Sequence, residues 1–167
     1  MQRKWFYKIG LLFVLFALTV MQGSSTDDNY YYDYLAVYMD RNSLENSVFY
    51  IEAGKEMKNP GKIYYKHPYL FINEKYKGVH IYDNTDPSNP VPKGFISAPG
   101  CLDMAVKDDI IYLDNAVDMV SFDLKNMREV HRIPDVFPEL APPNSSARCD
   151  HNHPAGLIIV EWTKNEN

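Results

Sequence analysis

An internal repeat constrains this chain more than any other feature. Pro68-Tyr69-Leu70-Phe71-Ile72-Asn73-Glu74 aligns with Asp109-Ile110-Ile111-Tyr112-Leu113-Asp114-Asn115 at an offset of 41, and Gly78-Val79-His80-Ile81-Tyr82-Asp83 aligns with Asp118-Met119-Val120-Ser121-Phe122-Asp123 at an offset of 40. A period of about 40 residues is the length of one four-stranded propeller blade. Each copy reads as a strand, a short acidic turn and a second strand that ends in Asp. The terminal carboxylate can accept hydrogen bonds from the amides of the following turn and so fix where the hairpin ends.

The rest of the chain is consistent with strands of the same kind. Leu35 to Met39 reads as a first short strand, and Asp40 can cap at most one helical turn after it. Val48 to Glu52 is β-branched and aromatic, and Asn59-Pro60-Gly61 is a turn signal. Ile63 to Tyr65, Tyr69 to Asn73, Val79 to Tyr82, Phe95-Ile96, Met104 to Val106, Ile110 to Leu113, Met119 to Phe122, Val130 to Ile133 and Gly156 to Trp162 are short apolar runs separated by turn residues. The expected class is all-β: antiparallel sheets from about two propeller-blade-like repeats, near 62–100 and 103–135, too short for a closed ring, which needs at least four blades. Residues 35–167 are expected to form a single β domain, the repeats being flanked by an N-terminal hairpin and a C-terminal strand.

The first 24 residues read as a signal peptide. Met1 to Lys8 is basic, Ile9 to Met21 is 13 residues without a charge, and the small residues Gly23, Ser24 and Ser25 follow. The expected location is outside the cytoplasm, in the periplasm or at the cell surface; an uncleaved membrane anchor is the alternative, since Trp5 and Phe6 extend the apolar run. Residues 25–34 form a polar, tyrosine-rich tether. Gly23 to Asp28 resembles the start of surface lipoproteins of Bacteroidetes-type bacteria, but no Cys precedes Cys101 to carry the lipid. Arg3, Lys4 and Lys8 lie in the signal and no acid does, so its removal takes 17 basic residues to 14 against 22 acids, a net charge of −8. That charge argues against nucleic acid and anionic lipid as partners.

At its repeats the chain resembles the LVIVD-repeat family of bacterial β-propeller proteins. The namesake strand, apolar-x-apolar-x-Asp, matches Val79 to Asp83 and is similar to Met119 to Asp123, where Ser121 takes the second apolar place. Asp86-Pro87-Ser88-Asn89-Pro90 is similar to the family's Asp-Pro-Ser-x-Pro turn; the second repeat has Lys125-Asn126-Met127-Arg128 instead. Asn59 to Ile63, Tyr69 to Glu74 and Asp135 to Pro138 are also similar. The resemblance spans roughly Leu35 to Ile159 and implies an envelope protein with no catalytic residues.

Candidate chemistry is sparse. On an extended strand Cys149, His151 and His153 would share one face and could offer three ligands to zinc or copper, but the flanking prolines make the segment a polar loop. Cys101 and Cys149 are the only cysteines, and two separate thiols are expected in place of a bridge. Asp103, Asp108, Asp109, Asp114 and Asp118 lack EF-hand spacing and read as turn and solvating residues. His67, His80 and His131 lie in or beside strands, and His80, opposite in face to Val79 and Ile81, should be solvent-facing or on a sheet-packing surface. Gly-x-Ser-x-Gly, His-Glu-x-x-His and phosphate-loop patterns are missing. Tyr64, Tyr65, Tyr69, Tyr76 and Tyr82 read as strand packing residues, whereas Tyr30, Tyr31, Tyr32 and Tyr34 read as a cluster that docks on the domain or a partner.

The expected role is therefore an exported non-enzymatic binding or scaffolding module at the bacterial envelope. Its partner is an unknown protein or glycan, self-association through blade edges is open, and no catalytic, cofactor or metal residue is assigned. The alternatives are a shortened form of a larger propeller protein without independent function, and a metal-binding or hydrolytic protein using the Cys149–His153 loop.

Overall fold

The second blade-like repeat folds as an uninterrupted four-stranded meander. In the computed structural model, which describes residues 33–144 and 153–166, β7 (Met104–Lys107), β8 (Ile110–Asn115), β9 (Asp118–Asp123) and β10 (Arg128–Ile133) pair antiparallel in chain order. The first repeat does the same with β3 (Pro60–Lys66), β4 (Tyr69–Glu74), β5 (Gly78–Asp83) and β6 (Val91–Ser97), and the short strand β2 (Phe49–Ile51) adds to the free edge of β6. A third sheet pairs β1 (Tyr34–Asp40) with β11 (Leu157–Lys164). The fold is all-β and no sheet closes into a barrel or ring.

The two alignment offsets have a structural cause. Glu74 pairs with Gly78 across a turn of Lys75, Tyr76 and Lys77, whereas Asn115 pairs with Asp118 across Ala116 and Val117 alone. One residue fewer in the second turn reduces the offset from 41 to 40. The Asp that ends each namesake strand fixes the next turn as expected. Asp83 accepts from the Thr85 amide and hydroxyl, and Asp123 accepts from the amides of Lys125 and Asn126.

Period-two alternation then decides which side of each blade is dry. On the first blade Phe71, Val79, Ile81 and Ile96 face inward, and on the second Val106, Ile111, Leu113, Val120 and Phe122 do, so the two sheets share one core. Burying each of these side chains stabilises the fold by about 1.5–3 kcal/mol. Along the seam between β3 and β7, Lys62 pairs with Asp103, the Tyr64 hydroxyl donates to the Val106 carbonyl at 3.1 Å, and Lys66 donates to the Asp108 carbonyl.

The terminal sheet lies over the β4–β5 and β8–β9 turns. Ile158 and Val160 pack with Leu44, Ala116 and Val117, while Ile159 and Trp162 pack with Tyr76, Leu102 and Leu140. Trp162 Nε1 donates to the Leu140 carbonyl at 2.9 Å, and Lys77 pairs with Glu161.

Two expectations are corrected. No N-terminal hairpin forms, because Asp40 caps α1 (Arg41–Glu45) through the Ser43 amide and Leu44 is fully buried beside the terminal sheet. This one turn of helix carries the chain away from β1, which pairs with β11 while β2 joins β6. The expected turn at Asn59-Pro60-Gly61 is instead the start of β3. Pro60 pairs with Glu74 before a bulge, and a first strand position tolerates its missing N–H.

Candidate functional site

The two blades differ in what covers their outer faces. On the first, Glu74, His80 and Phe95 point away from the shared core yet are buried to within a few per cent. Residues 52–59 fold over them: the Glu74 carboxylate accepts the amides of Asn59 at 2.7 Å and Lys58 at 3.1 Å, and the Lys55 ammonium lies 5.2 Å from the Phe95 ring centre. Between this segment and the sheet lies a cleft of about 340 Å³, whose lining includes Gly54, Lys55, Glu56, His80, Tyr82 and Pro92.

At the base of the cleft His80 Nε2 stands 3.2 Å from Glu74 Oε2. Burial pushes the Glu74 carboxyl up, but the amides of Asn59 and Lys58 and the His80 ring outweigh it and hold the group below its ordinary value. Burial pulls the His80 ring below its ordinary value, against the opposing effect of Glu74. The pair at neutral pH is therefore a carboxylate and a neutral imidazole whose Nε2 proton is donated to Glu74, which leaves Nδ1 as a hydrogen-bond acceptor.

On the second blade no described segment folds over the outer face in this way. A hollow of about 250 Å³ is lined there by Ala105, Tyr112, Met119 and Phe137, with Asp114 alongside. Burial pushes the Asp114 carboxyl up, although one oxygen accepts the amides of Leu102 and Asp103, both at 2.9 Å. Asp118 is on the opposite side, fully buried between Arg41 and Arg132, so the solvating role expected for it is wrong. A fully buried carboxylate requires such partners. Asp103 and Asp109 do pair at the surface, with Lys62 and Lys125.

Cys149, His151 and their neighbours at 145–152 lie outside the described residues, as do Tyr30, Tyr31 and Tyr32. His153 is described: Nε2 lies 2.7 Å from Glu139 and the ring meets Tyr38 edge-on. Cys101 is fully buried, and burial pushes its thiol well up, as for an inert core sulfur. Among the described residues no three His, Cys, Asp or Glu side chains could hold a metal ion, and no helix is long and apolar enough to cross a membrane. His131 is exposed, and His67 Nδ1 lies 3.3 Å from the Tyr65 hydroxyl.

The pairing of Glu74 with His80 was missed in the sequence, although a signal for it exists. Both occupy the outward alternation phase of neighbouring strands, two residues apart in register across a hairpin. No protein-family model matches this chain, and no curated protein or solved structure is detectably similar to it.

Proposed function

We propose that this protein is an exported, non-enzymatic binding or scaffolding module at the bacterial cell envelope, akin to the LVIVD-repeat proteins its repeats resemble. The reading rests on one observation: the first blade's outer face is overlaid by its own 52–59 segment, while the second blade presents a hollow lined by Tyr112, Met119 and Phe137 that no described segment overlays. Half-exposed apolar side chains around a concave centre suit the apolar anchors of a protein partner. Another blade could not pack on the first blade's outer face without displacing residues 52–59.

The test compares the full-length protein with its Tyr112→Glu, Met119→Asp variant, each cross-linked in envelope fractions and sized by light scattering. The expected result is a defined complex with one partner that the double variant loses while keeping its melting temperature. An identical product from both proteins would refute the assignment of this face. Fusing residues 1–30 to a reporter active only outside the cytoplasm checks export, and a silent fusion would contradict it.

A further inference from the structure

We infer that the cleft beneath residues 52–59 binds a small hydroxylated carboxylate of monosaccharide size, a uronic acid sugar. Its volume of about 340 Å³ falls at the lower end of small-molecule sites. The polar groups that line it differ in what they demand. His80, 2% exposed and held by Glu74, offers a neutral ring whose Nδ1 accepts a hydroxyl proton. The Lys55 ammonium, resting over Phe95, supplies the counter-charge for a carboxylate. Glu56 accepts further hydroxyls, and Tyr82 and Pro92 give an apolar wall for the C–H face of a pyranose.

Other ligand classes fit less well. A purely apolar molecule would leave the Lys55 ammonium without a counter-charge and give His80 Nδ1 no hydrogen-bond donor. A cation meets the Lys55 ammonium. A phosphate meets one cation only, beside the carboxylate of Glu56 and a neutral imidazole. This site lies on the first blade and is independent of the partner face on the second.

The experiment titrates glucuronate, and glucose as the neutral control, into the full-length protein while NMR follows the His80 imidazole nitrogens and the amides of residues 53–56. The expected result is a saturable shift with glucuronate at His80, binding at least tenfold weaker in Lys55→Ala, and weaker binding of glucose. Lys55 is exposed, so its variant keeps the fold. A glucuronate-terminated disaccharide that binds more tightly than the free sugar would assign the site to a polysaccharide end; equal binding would assign it to the free sugar. Absence of a saturable shift in the folded protein, or equal glucuronate affinity in Lys55→Ala, would overturn the inference. The Tyr112→Glu, Met119→Asp variant should titrate like the parent, which separates this result from the fate of the second-blade face.

Discussion

Arg41 and Asp118 lie 77 residues apart in the chain, and Arg41 Nη1 grips both carboxylate oxygens at 2.7 and 2.9 Å. The same carboxylate takes Arg132 at 2.8 Å and the Asp135 amide at 3.1 Å, so it joins α1, the second blade and the segment after β10. Asp118→Ala leaves the Arg132 guanidinium, only 12% exposed, without this partner. The expected loss is about 3–5 kcal/mol by urea denaturation. Arg41→Ala should cost less, about 1.5–3 kcal/mol, because Arg132 still neutralises the carboxylate.

Acid should unfold this protein through two groups whose signs agree. Burial pulls His80 below 6.5, so as the pH falls under 6.5 the unfolded chain takes up a proton that the folded protein refuses, and stability declines. Glu74 is held below 4.5, so its contribution is present above that pH and is lost as the pH falls through its folded value. Thermal melts from about pH 7.5 down to about pH 5 should show a falling midpoint. His80→Gln should flatten that slope, and an unchanged slope in a folded variant would show that another group carries it.

Gly78 occupies the position that Asp118 fills in the other repeat, yet it tolerates no side chain. A Cβ there would stand 1.9 Å from the Ile96 carbonyl oxygen, at a φ of +139°. Gly78→Ala should therefore cost at least about 2 kcal/mol, measured by chemical denaturation.

Phe71 and Phe122 are each at most 1% exposed and belong to the one core that the blades share. Truncating either to Ala should cost about 3–5 kcal/mol. Val130→Ala, on the exposed edge strand β10, should stay within about 0.5 kcal/mol. Equal losses at all three positions would mean that the blades do not share a core.

Much of this architecture was legible because blades are local. A meander pairs neighbours in sequence, so the apolar runs at Val79–Tyr82 and Met119–Phe122 marked the strands, alternation put His80 opposite in face to Val79 and Ile81, and the closing aspartates marked the turns. What escaped is non-local. The partner of β1 is β11, which no local pattern specifies, and α1 is too short to show a helical period. Strand β6 was read only at Phe95-Ile96, since Pro92 and Gly94 disguise its first half. The Glu74–His80 pair was hidden for a similar reason: residues 52–59 bury it from a distance in sequence, and alternation alone cannot tell an outward position that is covered from one that is wet.

Pairing of β1 with β11 ties both blades into one cooperative unit. Trp162 reports on that sheet directly, since it is 7% exposed in its core and becomes the only tryptophan once Trp5→Phe is introduced. The measurement is urea unfolding of that variant followed by Trp162 fluorescence and by far-ultraviolet circular dichroism. Coincident transitions are expected, with one midpoint and one slope. A fluorescence change completed at lower urea, with the β signal intact, would show that the terminal sheet separates from the blades and would contradict the account.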